Sequence, residues 1–289
     1  MKKVFAGIAV LAMGVLAVPA GTTMPAYAAT DYTIGQFNMA GGNNQYGKLG
    51  LEAADALVRS VTDRKPTWLT LQETCADWNG RLESKLAEYG MVFNAVKRSK
   101  GGAAAQCKHA TPFGNSILFR KDFGFEPPDR KQVYDLQSPS GMEQRELLCI
   151  KAPSKKVAVC TVHLTNGNNK EQLQARRHEA EVARKNLAEK YAGYQIFLGG
   201  DLNDDPLSAV TDNFYHATYG SGAHGSYKEV DSPCGNTPSG RTGCRSGHPT
   251  HGNSKIDYIY VSPSVKIVRV VVSDAKYSDH RLPWSVISF

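Results

Sequence analysis

The chain has 289 residues, 41% of them hydrophobic, with 34 basic residues against 27 acidic ones. That is ample apolar material for a large packed domain and excludes a disordered or fibrous chain. The formal net charge of +7 fits either plain solubility or contact with a polyanion, so charge alone selects no function.

The chain opens with Met1-Lys2-Lys3, an uncharged apolar run from Val4 to Val18, and Ala26-Tyr27-Ala28, which fits a small-x-small cleavage rule. This reads as a secretory signal peptide over residues 1–28, with an extracellular mature domain over 29–289. The apolar run stops at Pro19, short of the roughly 20 residues that a bilayer-spanning helix needs. No later stretch avoids charge for that long, so neither a spanning helix nor stable membrane association is expected. Without Lys2 and Lys3, 32 basic residues face 27 acidic ones, a net of +5.

Extended runs then follow at Tyr32 to Asn38, Trp68 to Gln72, Ser116 to Arg120, Arg145 to Ile150, Val157 to Leu164, Gln195 to Leu198, Ile256 to Val261 and Val265 to Val272. Between them, Leu51, Ala54, Val58 and Val61 share a helical face that ends at Lys65-Pro66. A second helix is predicted over Trp78 to Tyr89. A third, marked by Leu173, Ala180, Leu187 and Tyr191, follows a candidate cap at Asn169. The irregular alternation, with at least one hairpin and no linker or repeat, predicts a single α/β domain on mixed sheets. Two long loops, Ser99 to Pro112 and Asn213 to Thr250, lack apolar periodicity, and loops of that length in a compact domain are often functional.

Six cysteines in an exported chain predict three disulfides. Cys149 and Cys160 sit almost symmetrically about Pro153-Ser154-Lys155-Lys156, as facing positions of a hairpin would. Cys234 and Cys244 enclose a Gly/Pro/Ser/Thr-rich stretch with little else to hold it, and Cys75 and Cys107 pair by elimination. No zinc-type Cys or His spacing is present. His109, His216, His224, His248 and His251 lack paired helical spacing and lie in Gly-rich loops, so a zinc hydrolase is not expected.

Several predicted strands end in polar residues that packing would not place there: Asn38, Gln72-Glu73, His163, Asp201 with Asn203, and Asp257, joined by Asp279-His280 near the C-terminus. Singly, each has an ordinary reading as a turn residue, a helix cap or a solvated strand end. Together, four carboxylates, two amides and two imidazoles make a poor core and a good site for a hard divalent cation with a phosphate ester.

The ordered set Phe37-Asn38, Leu71-Gln72-Glu73, Gly114-Asn115-Ser116-Ile117-Leu118, Gln144-Arg145-Glu146, Thr161-Val162-His163-Leu164, Gly199-Gly200-Asp201-Leu202-Asn203, Lys255-Ile256-Asp257-Tyr258-Ile259 and Ser278-Asp279-His280 resembles the endonuclease/exonuclease/phosphatase superfamily, the DNase I-like fold. The resemblance implies a four-layer α/β sandwich, two packed mixed sheets flanked by helices, and in-line hydrolysis of a phosphate ester assisted by Mg²⁺, or Mn²⁺ or Ca²⁺. It implies metal binding by Glu73, Asn38 and Asp279, and phosphate binding by Arg145 and Asn203. Asp201 would orient the attacking water, His280 would be the catalytic imidazole held by Asp257, and His163 a second imidazole on the phosphate. Asn115 stands where pancreatic-type deoxyribonuclease has the glutamate partner of the residue matching His163. An amide orients a ring without supporting its charged form, so that match is imperfect.

For the substrate, Arg81, Lys97, Arg98, Lys100, Lys108, Arg241, Arg245 and Lys255 are candidates to track a nucleic-acid backbone. Trp78, Tyr215, Tyr219 and Tyr227 are candidates to stack on bases. The expectation is a monomeric secreted endonuclease whose nucleic-acid partner is DNA first, with RNA as a second substrate. The alternative is a secreted sphingomyelinase or phospholipase C-type phosphodiesterase, although no loop carries the consecutive Trp, Phe or Leu residues that would enter a membrane interface. A non-catalytic binding module on the same scaffold is the third reading, disfavoured because Glu73, Asp201, Asn203, Asp257 and His280 are all present.

Overall fold

The computed structural model describes Met1 and residues 30–289, so the expected signal peptide and its cleavage site lie, Met1 apart, outside the described residues. In chain order the elements are β1 (Asp31–Asn38), α1 (Glu52–Arg64), β2 (Trp68–Cys75), α2 (Ala76–Lys85), β3 (Tyr89–Ala95), β4 (Phe113–Arg120), β5 (Gln132–Asp135), β6 (Glu146–Ala152), β7 (Val157–His163), α3 (Lys170–Lys190), β8 (Gln195–Asp201), β9 (Lys228–Glu229), β10 (Asp257–Val261), β11 (Lys266–Ser273) and β12 (Leu282–Ser288). They form two six-stranded sheets, ordered β11-β12-β1-β2-β4-β3 and β5-β6-β7-β8-β10-β9. Each sheet is antiparallel except for one parallel pair, β1 with β2 and β7 with β8. Those pairs need crossovers, which α1 with its loops and α3 supply.

Three apolar layers follow from period-two alternation along the strands. Between the sheets, Ile34, Trp68, Val159, Phe197 and Ile259 interlock. On the outer face of the first sheet, Leu69, Leu71 and Phe37 pack against Leu57 and Val61 of α1 and Trp78 and Leu82 of α2. Outside the second, Cys160, Val162, Leu198 and Tyr258 pack against Ala180, Ala183 and Leu187 of α3. This is the four-layer sandwich of mixed sheets expected from the sequence. Each fully buried large apolar side chain contributes about 1.5–3 kcal/mol.

The inward-facing rows change character along each strand. In β7 the row runs Val159, Thr161, His163; in β8 it runs Phe197, Gly199, Asp201. Midway, Gln72 donates to Thr161 at 2.9 Å and Gln36 to Asp257 at 3.1 Å, linking the sheets through buried amides. The sheets approach so closely there that a Cβ on Gly199 would lie 2.0 Å from Thr70 Oγ1. Beyond this belt the rows end together at Asn38, His163, Asp201 and Asp257.

Strands β2, β4 and β8 each run three residues further than expected, through Glu73, Asn115 and Asp201 respectively, whereas β7 and β10 are each one residue shorter. The predicted helix at Trp78 to Tyr89 ends at Lys85, and Tyr89 instead opens β3, paired along its length with β4. The short strands β5 and β9 and the closing strand β12, which carries Pro283, were not anticipated. The disulfides Cys75–Cys107, Cys149–Cys160 and Cys234–Cys244 all form, the second between directly opposed residues of β6 and β7.

Candidate active site

The converging strand ends open into a cleft of about 440 Å³, lined among others by Glu73, Arg145, His163, Asp201, Asn203, Asp279 and His280. Glu73 reaches it through a break in the β2–β4 register between Leu71 and Thr74, where its backbone turns left-handed at φ 51°. A bulge of this kind re-aims a side chain, and a non-glycine residue in this region stores local strain that recurs at functional sites. The carboxylate is then held by the Gly42 N–H at 2.9 Å on Oε2 and by Asn38 Nδ2 at 3.2 Å on Oε1.

Asp201 closes β8 and is 1% exposed. Its Oδ2 accepts Asn38 Nδ2 at 2.9 Å, and its Oδ1 accepts the Asn203 N–H at 2.9 Å. Burial, then the charge of Asp257, pushes its pKa above the usual carboxylate range, with His280 opposing. Asn203, at φ 52°, donates Nδ2 to the Leu164 carbonyl at 3.1 Å, leaving its side-chain oxygen free in the cleft.

Two imidazoles face Asp201 Oδ2, His163 Nε2 at 3.6 Å and His280 Nε2 at 3.8 Å. His280 Nδ1 donates to Asp257 Oδ2 at 2.8 Å, while Gln36 occupies Asp257 Oδ1. The loop is pinned by Ser278, which donates to the Asn38 carbonyl and accepts the His280 N–H. Burial opposes the charged ring, but Asp257, helped by Asp201 and Glu73, outweighs it and raises His280 to about 10. His280 is therefore an imidazolium at neutral pH.

His163 is the opposite case. Its Nδ1 lies 3.0 Å from Arg145 NH1, and a guanidinium has no acceptor, so Nδ1 accepts and Nε2 carries the proton. Burial first, then the Arg145 and His280 charges, hold its pKa well below the ordinary histidine value. It is a neutral N–H donor. Arg145 is itself 7% exposed, meets Glu143 Oε1 at 2.8 Å, and has no hydrogen-bond partner for its Nε. A buried guanidinium N–H left unpaired beside a cleft suits an anionic ligand.

Asn38, expected on the metal, lies between two cleft carboxylates, its Nδ2 donating to Glu73 and Asp201 while its Oδ1 accepts the Ala40 N–H. Asn115, expected beside His163, is outside the cleft lining. Its Nδ2 points to Glu146 Oε1 at 3.4 Å, and Arg145 takes the place on the ring. Asp279 rims the cleft, where Asn43 Nδ2 donates to it at 2.9 Å. Asn43, Glu143, Asn166 and His251 also line the cleft and carried no sequence signal beyond their loop positions.

The remaining donors fit a hard divalent cation. Glu73, Asp201 and Asp279 all line this cleft, Asp201 buried, Glu73 partly buried and Asp279 exposed, and carboxylate oxygens suit such an ion. Glu73 and Asp279 are the residues that would hold it.

The expected base-stacking residues are buried. Trp78, Tyr215, Tyr219 and Tyr227 are all core side chains, and the loop around the three tyrosines packs on the second sheet. Arg245 pairs with Asp212, Lys255 with Glu229 and Asp231, and Arg81 with Asp55. Lys97, Arg98, Lys100, Lys108 and Arg241 remain exposed.

The model of the endonuclease/exonuclease/phosphatase family matches residues 35–280. No curated protein sequence matches the chain. Among solved structures, the human Nocturnin catalytic domain with a bound sulfate anion is 16% identical at a TM-score of 0.66, covering 93% of this chain and 100% of that one. A D. rerio TDP2 complexed with single strand DNA product is 15% identical at 0.60, covering 90% and 100%. A Bacteroides thetaiotaomicron mannosyl-6-phosphatase is 17% identical at 0.59, covering 89% and 100%. Identities this low speak for a shared fold, while the family match runs across every residue gathered in the cleft. The chain belongs to the endonuclease/exonuclease/phosphatase family.

Proposed function

We propose that the chain is an exported, divalent-cation-dependent phosphodiesterase that cleaves nucleic acid, DNA foremost. Its chemistry follows from the cleft. The Arg145 guanidinium and the His163 Nε2–H bind the phosphate oxygens, and Asp201 with Asn203 orients the attacking water. His280, protonated and held by Asp257, gives its Nε2 proton to the leaving oxygen. A divalent cation on Glu73 and Asp279 would neutralise charge developing on the phosphate.

The observation that carries the nucleic-acid reading is the exposed cationic loop beside the cleft. Lys97, Arg98, Lys100 and Lys108 lie on a segment tied to the cleft rim by the Lys108 N–H to the Gly41 carbonyl and by Cys75–Cys107. With the aromatic residues buried, contact would run along the phosphate backbone and depend little on base sequence. The DNA product in the TDP2 structure supports the same substrate class. Among the described residues, the large exposed apolar side chains other than Met1 are aliphatic and scattered, which favours a polyanion over a lipid surface. Three disulfides support export, and no helix among the described residues is long and apolar enough to cross a membrane.

The test offers plasmid DNA, RNA, sphingomyelin and a sugar phosphate side by side, with Mg²⁺ and with EDTA. Metal-dependent cleavage of DNA, weakening steeply with added salt, is expected. Turnover confined to the sugar phosphate or to sphingomyelin would overturn the nucleic-acid reading.

A further inference from the structure

At the mouth of the cleft three side chains gather that no part of the hydrolytic scheme requires together. His251, Asp279 and His280 each offer one ligand atom, all within 4.8 Å of one another. His251 comes from the loop before β10, 28 residues from Asp279, and its backbone bridges to that of His280. Their rings lie 4.7 Å apart between centroids.

The spacing is that of ligands more than of a hydrogen bond. His251 Nε2 lies 3.4 Å from Asp279 Oδ2, long for a charge-assisted contact. Two donors bound at about 2.0–2.1 Å to one tetrahedral ion stand about 3.4 Å apart. His280 already has the outer partner of a metal-bound imidazole, since its Nδ1 donates to Asp257 and its Nε2 faces the cleft. Asn43 Nδ2 donates to the same Asp279 Oδ2 and fixes its position. His251 and Asp279 are 43% and 34% exposed at the side chain, open to an ion from solvent.

We propose that His251, Asp279 and His280 form an inhibitory site for a borderline divalent ion, Zn²⁺ above all. Two imidazoles and a carboxylate favour Zn²⁺ over Mg²⁺, unlike the oxygen donors deeper in the cleft. Zn²⁺ there displaces the His280 Nε2 proton to solvent and takes the lone pair that would otherwise carry it to the leaving oxygen, so the ion halts turnover while the fold stays intact. Binding stands on the geometry alone; the inhibition rests on the hydrolysis proposed above.

Two readouts separate them. Calorimetric titration of Zn²⁺ into the mature chain should show one site, and Co²⁺ should give the visible absorption of tetrahedral coordination. His251→Gln should weaken Zn²⁺ at least about ten-fold and remove the Co²⁺ spectrum. Zn²⁺ titrating identically into wild type, His251→Gln and Asp279→Asn would overturn the site, whatever the substrate is. In plasmid nicking under saturating Mg²⁺, added Zn²⁺ should slow wild type at concentrations that His251→Gln tolerates. Equal inhibition of the two proteins would overturn the regulatory role.

Discussion

Two histidines face Asp201 Oδ2, and their surroundings drive their protonation in opposite directions. Asp257 behind His280 favours the charged ring, whereas burial, with Arg145 behind it, favours the neutral form of His163. The strand-end residues themselves were legible, because each breaks an alternating apolar row at its end. Their partners were not. Arg145 and Asn115 both stand in motifs of the family, and only the packing of β4 against β6 turns Asn115 onto Glu146. That displaced contact has a consequence of its own. Glu146 is pushed up to about 7 by burial, despite the Asn94 and Asn115 amides. A carboxyl raised in the folded state contributes stability below its ordinary pKa of 4.5, and that stability is lost as pH rises toward about 7. The difference is on the order of 3 kcal/mol. Glu146→Gln should therefore flatten the fall in melting temperature between pH 5 and pH 8, and an unchanged pH profile would contradict it.

At the scale of elements, β2 and the loop after β3 place Glu73, the carboxylate proposed to hold the cation, and the cationic rim. The left-handed turn at Glu73 could not be read from Leu-Gln-Glu-Thr, since nothing local there favours positive φ; the bulge is imposed by pairing with β4. The tyrosine-rich loop misled for a related reason. It lacks periodicity, yet Tyr215, Tyr219 and Tyr227 supply core to the second sheet, so absence of a pattern did not mean exposure. Helix α3 shows the opposite case: the cap expected at Asn169 forms, and Gln172 reciprocates it. The Cys75–Cys107 bond ties the cationic loop to the end of β2 across 32 residues. Cross-linking a loop of that length restricts the unfolded chain by about 3–4 kcal/mol. Cys75→Ser with Cys107→Ser should lower the melting temperature by several degrees and weaken apparent affinity for DNA more than turnover at saturation. Unchanged affinity with a lowered melting temperature would show that the loop does not touch the substrate.

Across the whole molecule, the two sheets share one design. Apolar residues hold them together at one end, buried amides bridge them in the middle, and charged groups meet at the other end, where backbone connections leave room for a cleft. The alternating runs made a mixed-sheet α/β domain and the polar strand ends legible, whereas the four-layer sandwich and the residue roles came from the resemblance of the ordered motifs to the family. Which phosphate ester enters was not legible, since exposure of the cationic and aromatic loops is decided by tertiary packing. The most direct test is plasmid nicking with Mg²⁺ by wild type, His280→Ala and Glu73→Gln, each checked for an intact fold by its melting curve. Both variants should lose about 10²-fold or more in rate, and EDTA should silence the wild type. Wild-type rates in either variant, or nicking that survives EDTA, would contradict the assignment of this cleft as the active site.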